Sequence, residues 1–176
     1  MNKQQLTKNT NCNFFQLISS MKIMMPLIII GLVSSIVWSA QSTAVGATDV
    51  FPEVTVFKSA TCNCCNKWVD HLEHEGFTVT THDKSDNEMK NIKASLGINS
   101  QLASCHTATV GNYAIEGHVP AADIMQLLTE KPKTNGLTAP GMPQHSPGMQ
   151  PISEKPNGYD VLLFNKEGNT QLFHSY

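Results

Sequence analysis

Hydrophobic and polar residues alternate in several short runs of this chain, and between these runs apolar residues recur every three or four positions. Alternation is typical of a strand with one buried face, whereas helical spacing is typical of an amphipathic helix. Asp86 stands at the N-cap position of the second helical stretch. The pattern predicts strands at 53–58, 77–82, 107–110, 113–117, 159–165 and 170–174, and helices at 63–75, 86–96 and 120–130.

Residues 132–158 lack such periodicity and are rich in Pro, Gly and Ser, which predicts a long surface loop. A repeated Pro-Gly-Met frames a histidine in this segment. Thioether and imidazole groups on a loop can hold copper in either oxidation state, so Met142, His145 and Met149 are candidate metal ligands. The alternative is a proline-stiffened loop whose methionines pack against the domain.

The N-terminal segment predicts export. Three lysines precede an apolar run from Ile23 to Trp38, and small residues follow it, as in a signal peptide. We expect residues 1–47 to be the signal peptide and residues 48–176 to be a single periplasmic domain. The alternative is an uncleaved membrane anchor, because the apolar run is near the lower length limit for spanning a bilayer.

The charge of the predicted mature domain disfavours nucleic acid as a partner. Residues 48–176 hold nine lysines, no arginine and fourteen acidic residues, a net charge near −5. A basic face is what nucleic-acid binding requires. Export also places the cysteines in an oxidising compartment, where unliganded thiols tend to form disulfides.

Three cysteines fall within four residues, between the first predicted strand and the first predicted helix: Cys62, Cys64 and Cys65. The outer two have the CxxC spacing, at a helix start that stabilises a thiolate. The third thiol adds a bridging donor for a soft metal, and thiolates favour Cu(I). The pattern leaves open a copper site, dithiol redox chemistry, structural disulfides and a zinc site, although no second CxxC pair completes a usual zinc site.

The element order predicts an α/β fold, specifically a thioredoxin-like single domain with an additional C-terminal β-hairpin. In that fold the loop before the third strand lies against the redox motif, so Cys105 should face Cys62. His106, at the start of a strand, and His118, near the start of a helix, are further candidate ligands. His71 and His74 lie on the first predicted helix and are interpreted as surface residues.

Several blocks of the sequence together resemble the CopG-like copper-resistance proteins of bacteria, long described as a metal-binding domain of unknown function. The resemblance spans residues 54–173, and its most specific blocks are 62–65, 67–69, 104–107, 116–121, 140–143, 146–149 and 159–164. It implies an exported thioredoxin-like protein that holds a cluster of copper ions. Carried over by position, the thiolate ligands are Cys62, Cys64, Cys65 and Cys105.

The resemblance also implies a function in copper resistance, with Cu(I) bound as more than one ion. Thiolates can be oxidised while Cu(II) is reduced, so reduction of Cu(II) to Cu(I) for an exporter is a further hypothesis and would make the protein a copper oxidoreductase. The expected partners are copper ions and a copper exporter or periplasmic copper chaperone. The alternative function is that of a thioredoxin-like thiol-disulfide oxidoreductase.

Overall fold

The computed structural model describes residues 51–176. The predicted signal peptide, residues 1–47, lies outside the described residues, so its cleavage and the anchor alternative both stay predictions. None of the helices within residues 51–176 combines the length and the apolar character that a membrane span requires.

The described part of the chain forms one mixed sheet of seven strands with three helices, which confirms the predicted α/β class. The elements are β1 (Val54–Lys58), α1 (Asn63–His74), β2 (Val79–Asp83), α2 (Asp86–Ser95), β3 (Thr107–Val110), β4 (Tyr113–Gly117), α3 (Ala121–Glu130), β5 (Gly136–Ala139), β6 (Asp160–Phe164) and β7 (Thr170–Ser175). Nine of these ten elements were predicted, with ends within two residues of those observed.

The sheet has the strand order β2-β1-β3-β4-β5-β6-β7. β1 pairs in parallel with β2 and antiparallel with β3, and β4 pairs antiparallel with β3 and in parallel with β5. β5 and β6 are antiparallel, as are β6 and β7. Because β1 and β3 are antiparallel neighbours, the end of β1 lies beside the start of β3. The loop between β1 and α1 and the loop before β3 therefore lie close together, although they are distant in sequence.

Burial follows the predicted periodicities in β1 and α1. Val54 and Val56 alternate with less buried residues along β1, and Trp68, Val69 and Leu72 form the buried face of α1. These side chains belong to one hydrophobic cluster. Because α1 is anchored in the core from its second turn onward, its first turn, which carries cysteines, is held in a fixed position.

The predicted N-cap of the second helix was wrong by one residue. Ser85 caps α2 by accepting from the backbone N–H of Glu88, while the Glu88 side chain accepts from the backbone N–H of Ser85. This capping box satisfies two backbone N–H donors that would otherwise be unpaired. An N-cap at Asp86 could not form the box, because no Glu or Gln follows three residues later.

The prediction of a surface loop over the whole of 132–158 was wrong, because β5 lies in the middle of the sheet and all four of its residues are buried. A strand buried on both faces shows no alternation, so the short run Gly136–Ala139 carries no strand signal. Gly136 packs tightly on Ala114: a Cβ added to Gly136 would lie 1.7 Å from the carbonyl oxygen of Ala114. Further along, residues 146–148 are also buried.

Candidate metal centre

Four cysteine sulfur atoms converge where α1 begins. Cys62 is the N-cap of α1, Cys64 and Cys65 lie in its first turn, and Cys105 lies in the loop that leads into β3. The four Sγ atoms all lie within 4.8 Å of one another. The predicted approach of Cys105 to Cys62 is therefore confirmed to within 4.8 Å, while the direct sulfur contacts of Cys105 are with Cys65 and Cys64.

Individual sulfur contacts form a chain through the group. The Sγ of Cys64 lies 3.6 Å from that of Cys62 and 3.8 Å from that of Cys105. The Sγ of Cys105 lies 3.5 Å from that of Cys65. These separations are close to those of thiolates that share a metal, since a metal–sulfur bond is about 2.3 Å long.

The CxxC pair is oxidised: Cys62 and Cys65 form a disulfide, whereas Cys64 and Cys105 are free thiols within the described part of the chain. Burial and the neighbouring Cys64 raise the pKa of the Cys105 thiol to about 11. Cys105 is therefore protonated near neutral pH when no metal is bound, and a metal must displace this proton in order to bind.

A buried carboxylate holds the loop that carries Cys105. Glu116 accepts hydrogen bonds from the backbone N–H of Ser104 at 2.6 Å and from the hydroxyl of Thr107 at 2.7 Å, and it forms an ion pair with Lys93. Burial raises the pKa of Glu116, and the charge of Lys93 opposes that rise. The carboxylate thus holds the backbone before Cys105, at Ser104, and the side chain after it, at Thr107.

Sequence reasoning missed Glu116 and Lys93. Glu116 alternates with apolar neighbours along β4 as an exposed residue would, and nothing in its spacing reveals a partner on α2. Its only signal was its place in the block 116–121.

Both candidate histidines before α3 lie against Cys105 and are fully buried. Nε2 of His118 is 3.1 Å from the Cys105 sulfur, and Nδ1 of His106 is 3.4 Å from it. Burial lowers the pKa of both rings, that of His106 most strongly, and the nearby His118 lowers the pKa of His106 further. Both rings are therefore neutral, as metal-binding imidazoles must be.

Trp68 links α1 to this histidine pair. Its indole N–H donates to the carbonyl oxygen of Val119 at 2.8 Å, and its ring lies 4.4 Å from the ring of His106. His106 and His118 meet edge to face at 4.9 Å. The core side chain of α1 thereby fixes the orientation of the imidazoles.

The Pro-Gly-Met segment, residues 140–149, contacts the site through its backbone. A Cβ on Gly148 would lie 2.7 Å from the carbonyl oxygen of Cys64, and Gly141 pairs with Ser104 in an isolated bridge. The candidate ligands Met142 and His145 are exposed, and Met149 is half-buried. His145 belongs to neither group of converging ligand atoms found among residues 51–176, so ligation by this segment stays a prediction.

The interpretation of His71 as a surface residue was wrong. His71 is half-buried, and its Nε2 accepts the backbone N–H of Ala121 at 3.1 Å, at the start of α3. Desolvation lowers the pKa of His71, which keeps this nitrogen available as an acceptor. His74, one turn further along α1, is exposed as expected.

The part of the chain that carries Cys105 matches a known protein family. A family described as a protein of unknown function, DUF411, matches residues 102–149, which include Cys105, both buried histidines and the Pro-Gly-Met segment. No curated protein matches the chain.

Two solved structures match over most of the chain. One, described as copper resistance protein CopG form 1, is 37% identical, with a TM-score of 0.64, over 72% of this chain and 98% of the other. The second, described as form 2 of the same protein, is 38% identical, with a TM-score of 0.64, over 71% and 98%. This identity across nearly the whole length of the relatives shows that the chain belongs to the CopG family of copper resistance proteins.

Proposed function

We propose that the protein is an exported copper-binding protein of copper resistance and homeostasis, which holds Cu(I) as a cysteine-bridged cluster of more than one ion. The ligands are Cys62, Cys64, Cys65 and Cys105. The observation that carries the proposal is the convergence of their four sulfur atoms within 4.8 Å of one another. Thiolates are soft donors that select Cu(I), and relatives named for copper resistance support copper as the metal.

A bridged cluster fits the spacing of these donors better than one tetrahedral ion does. Cys64 and Cys65 are adjacent on α1, so their side chains leave the helix in different directions and wrap poorly around a single centre. Cys64 and Cys105 each approach two other sulfur atoms within 3.8 Å. A thiolate in such a position can bridge two Cu(I) ions.

The oxidised pair supports a redox step in the same site. Two Cu(II) ions and the dithiolate of Cys62 and Cys65 give two Cu(I) ions and the disulfide, because forming the S–S bond releases two electrons. An external thiol reductant must then reduce the disulfide, supplying two electrons and two protons. In this proposal the protein converts Cu(II) into the Cu(I) that an exporter accepts.

A second candidate function is thiol-disulfide exchange in a thioredoxin-like domain. The Cys62–Cys65 disulfide at the N-terminus of α1 favours it, since a helix start lowers the pKa of a thiol. The order β2-β1-β3-β4, with only β1 and β2 parallel among these four strands, supports the thioredoxin-like assignment. Such an enzyme would reduce disulfides without copper, and Cys64 would be dispensable.

The location and partners of the protein are part of the proposal. The predicted signal peptide supports a periplasmic location, where a copper exporter or a periplasmic copper chaperone would receive the metal. The net negative charge of residues 48–176 favours the approach of cations over that of nucleic acid.

The test is an anaerobic Cu(I) titration of the reduced chain against a competing chelator, in a Cys12→Ser background that removes the cysteine outside the site. We expect two or more copper ions per chain and a lower number after Cys105→Ser. Exposed Asn63→Ser, within the same motif, is the matched control and should bind as the parent chain does. Absence of tight binding would refute the copper proposal and favour thiol-disulfide exchange.

A further inference from the structure

A cavity of about 510 Å³, here called the α2 cleft, lies between α2 and the loop before β3. Its volume falls within the range of about 300–1,000 Å³ that is usual for small-molecule sites. Buried Met89 and Ile98 give it an apolar surface, and Ser104 and Cys105 line it from the loop. Among the four cysteines of the metal centre, Cys105 alone lines this cleft. A small molecule bound in the cleft therefore meets the metal centre at Cys105.

The lining of the α2 cleft is positively charged, although the domain is acidic. Lys90 and Lys93 line it, against one acidic side chain, Asp86. Lys93 forms an ion pair with buried Glu116, so Lys90 is the exposed cation of the cleft. Asp86 lies in the first turn of α2, where the helix dipole offsets part of its charge. With nine lysines and fourteen acidic residues in residues 48–176, the cleft is a local exception that favours an anionic small molecule.

A small thiol is the kind of carrier that can pass Cu(I) to Cys105 without a redox step. Cu(I) prefers soft sulfur donors, so a thiolate carrier holds it in water. In the exchange, a copper–sulfur bond to Cys105 forms while the copper–sulfur bond to the carrier breaks. The proton that Cys105 loses passes to the carrier thiolate, and the copper stays Cu(I).

The other thiolates of the centre are within reach of copper that has arrived at Cys105. The Cys105 sulfur lies 3.5 Å from that of Cys65 and 3.8 Å from that of Cys64. A copper ion bound to Cys105 can therefore pass to these sulfur atoms by a second exchange of the same kind.

We propose that the α2 cleft binds a small anionic thiol that carries Cu(I), and that copper enters the metal centre from this carrier at Cys105. The carboxylate of the carrier pairs with Lys90, and its apolar stem packs on Met89 and Ile98. This inference rests on the proposed copper function and adds to it the chemical class of the carrier and the route of entry. The cleft sets the rate of transfer, whereas the four cysteines set the amount of copper bound.

The first test compares two carriers of different charge. Transfer of Cu(I) to the reduced chain in the Cys12→Ser background is followed from mercaptosuccinate, which has two carboxylates, and from neutral 2-mercaptoethanol. Lys90→Glu should slow transfer from mercaptosuccinate about tenfold, the lower end of electrostatic steering, and leave transfer from 2-mercaptoethanol unchanged. The effect should shrink in about 1 M salt, where the screening length is about 3 Å. Exposed Lys155→Glu, outside the cleft, is the matched control.

The second test narrows the cleft without changing its charge. Ala94 lines the cleft on the exposed side of α2. Ala94→Trp should therefore slow transfer from both carriers, while the number of copper ions bound at equilibrium stays that of the parent chain. Ala122→Trp, at an exposed position of α3 outside the cleft, is the control and should leave the rates unchanged.

The outcomes separate the cleft from the metal centre. An unchanged rate from mercaptosuccinate in Lys90→Glu, or unchanged rates in Ala94→Trp, would overturn the cleft as the route of entry. Equal slowing from both carriers in Lys90→Glu would overturn the anionic class of carrier. In each case an unchanged copper count at equilibrium leaves the proposed function standing. A parent chain that takes up no copper from either carrier would overturn the proposed function and the cleft together.

Discussion

Cys105 is the residue on which the chemistry of the site depends, because its sulfur contacts two cysteines of α1 on one side and two buried imidazoles on the other. Its position is set by neighbours rather than by a regular element. Glu116 holds the backbone before it and the hydroxyl after it. The ligand and its support therefore come from different parts of the sequence.

If the Cys64 thiolate bridges copper ions, replacing Cys64 should lower the amount of bound copper but leave the Cys62–Cys65 disulfide intact. Cys64→Ser should lower the number of Cu(I) ions bound per chain, because a bridging thiolate is removed, while Cys62 and Cys65 still oxidise to a disulfide. Copper analysis and thiol counting measure the two properties separately. Exposed Asn63→Ser controls for a change at the start of α1, and an unchanged copper count in Cys64→Ser would refute bridging.

Because the His118 ring is buried, the free energy of unfolding of the metal-free protein should depend on pH. The folded pKa of His118 lies below the ordinary value of 6.5 because the ring is buried, so the unfolded chain binds a proton first as the pH falls. The stability that the neutral ring contributes is fully present above pH 6.5 and is lost as the pH falls towards the folded pKa. The limiting slope is about 1.4 kcal/mol per pH unit.

Urea unfolding between pH 7 and pH 5 measures this effect. The free energy of unfolding should fall less steeply with acidification in His118→Gln than in the parent chain, since the titrating ring is gone. The same change at exposed His74 controls for the loss of an imidazole. Equal slopes in the parent chain and His118→Gln would show that the buried ring is not held neutral by the fold.

Replacing Glu116 should lower both the free energy of unfolding and the affinity for copper. Glu116→Gln leaves Lys93 without its counter-charge, and breaking a buried ion pair costs about 3 kcal/mol. Because the carboxylate also accepts from Ser104, the copper affinity should fall too. Chemical denaturation and Cu(I) competition measure the two effects, with exposed Glu73→Gln as the control. A destabilised variant with unchanged copper affinity would mean that Glu116 does not position Cys105.

At the scale of elements, the site is built where the first turn of α1, the loop before β3 and the Pro-Gly-Met segment meet. The first two could be predicted from the sequence, because strand and helix periodicities bracket the cysteines. The third could not, because small residues at Gly136 and Ala139 give no periodicity and the close approach of Gly148 depends on tertiary packing. Loop composition alone indicated solvent exposure where the structure has buried backbone.

Gly148 provides a test of this contact. Gly148 has φ +84°. A Cβ there would lie 2.7 Å from the Cys64 carbonyl oxygen and 2.8 Å from the backbone nitrogen of Trp68. Gly148→Ala should therefore cost the penalty of a positive φ, about 1 kcal/mol, and about 1–3 kcal/mol more from the clash. Gly158→Ala is the control, since Gly158 has φ +74° and no described atom within 4 Å of its Cβ position.

The comparison of the two unfolding free energies isolates the clash. Gly148→Ala should be the less stable variant and should also bind copper more weakly, because the first turn of α1 must shift. Equal stability of the two variants would show that the segment does not press on α1.

At the scale of the whole molecule, the order of nine of the ten elements and the four cysteines were accessible from one sequence, since periodicity, cysteine spacing and the family resemblance all pointed to the same arrangement. The orientation of His118 and the ion pair of Glu116 were not, because His118 bonds to Pro147, 29 residues away, and Glu116 pairs with Lys93, 23 residues away. Chemistry-bearing residue types were visible in the sequence, whereas their supporting contacts required the fold.

Copper should stabilise the whole domain. Its proposed ligands come from α1 and from the loop before β3, so the folded chain binds copper and the unfolded chain binds it less well. At a free copper concentration of 100 times the dissociation constant, the stabilisation approaches about 2.7 kcal/mol. Thermal unfolding of the reduced chain with and without Cu(I) measures it, and Cys105→Ser should remove most of the increase. An equal increase in Cys105→Ser would place the copper elsewhere.

X-ray absorption spectroscopy of the reduced, Cu(I)-loaded chain distinguishes a cysteine-bridged cluster from isolated copper ions, because it reports the atoms around copper. We expect a first shell dominated by sulfur together with scattering from a neighbouring copper ion, as shared thiolates require. A shell of nitrogen and oxygen without sulfur, or sulfur without a copper neighbour, would contradict the cysteine-bridged cluster.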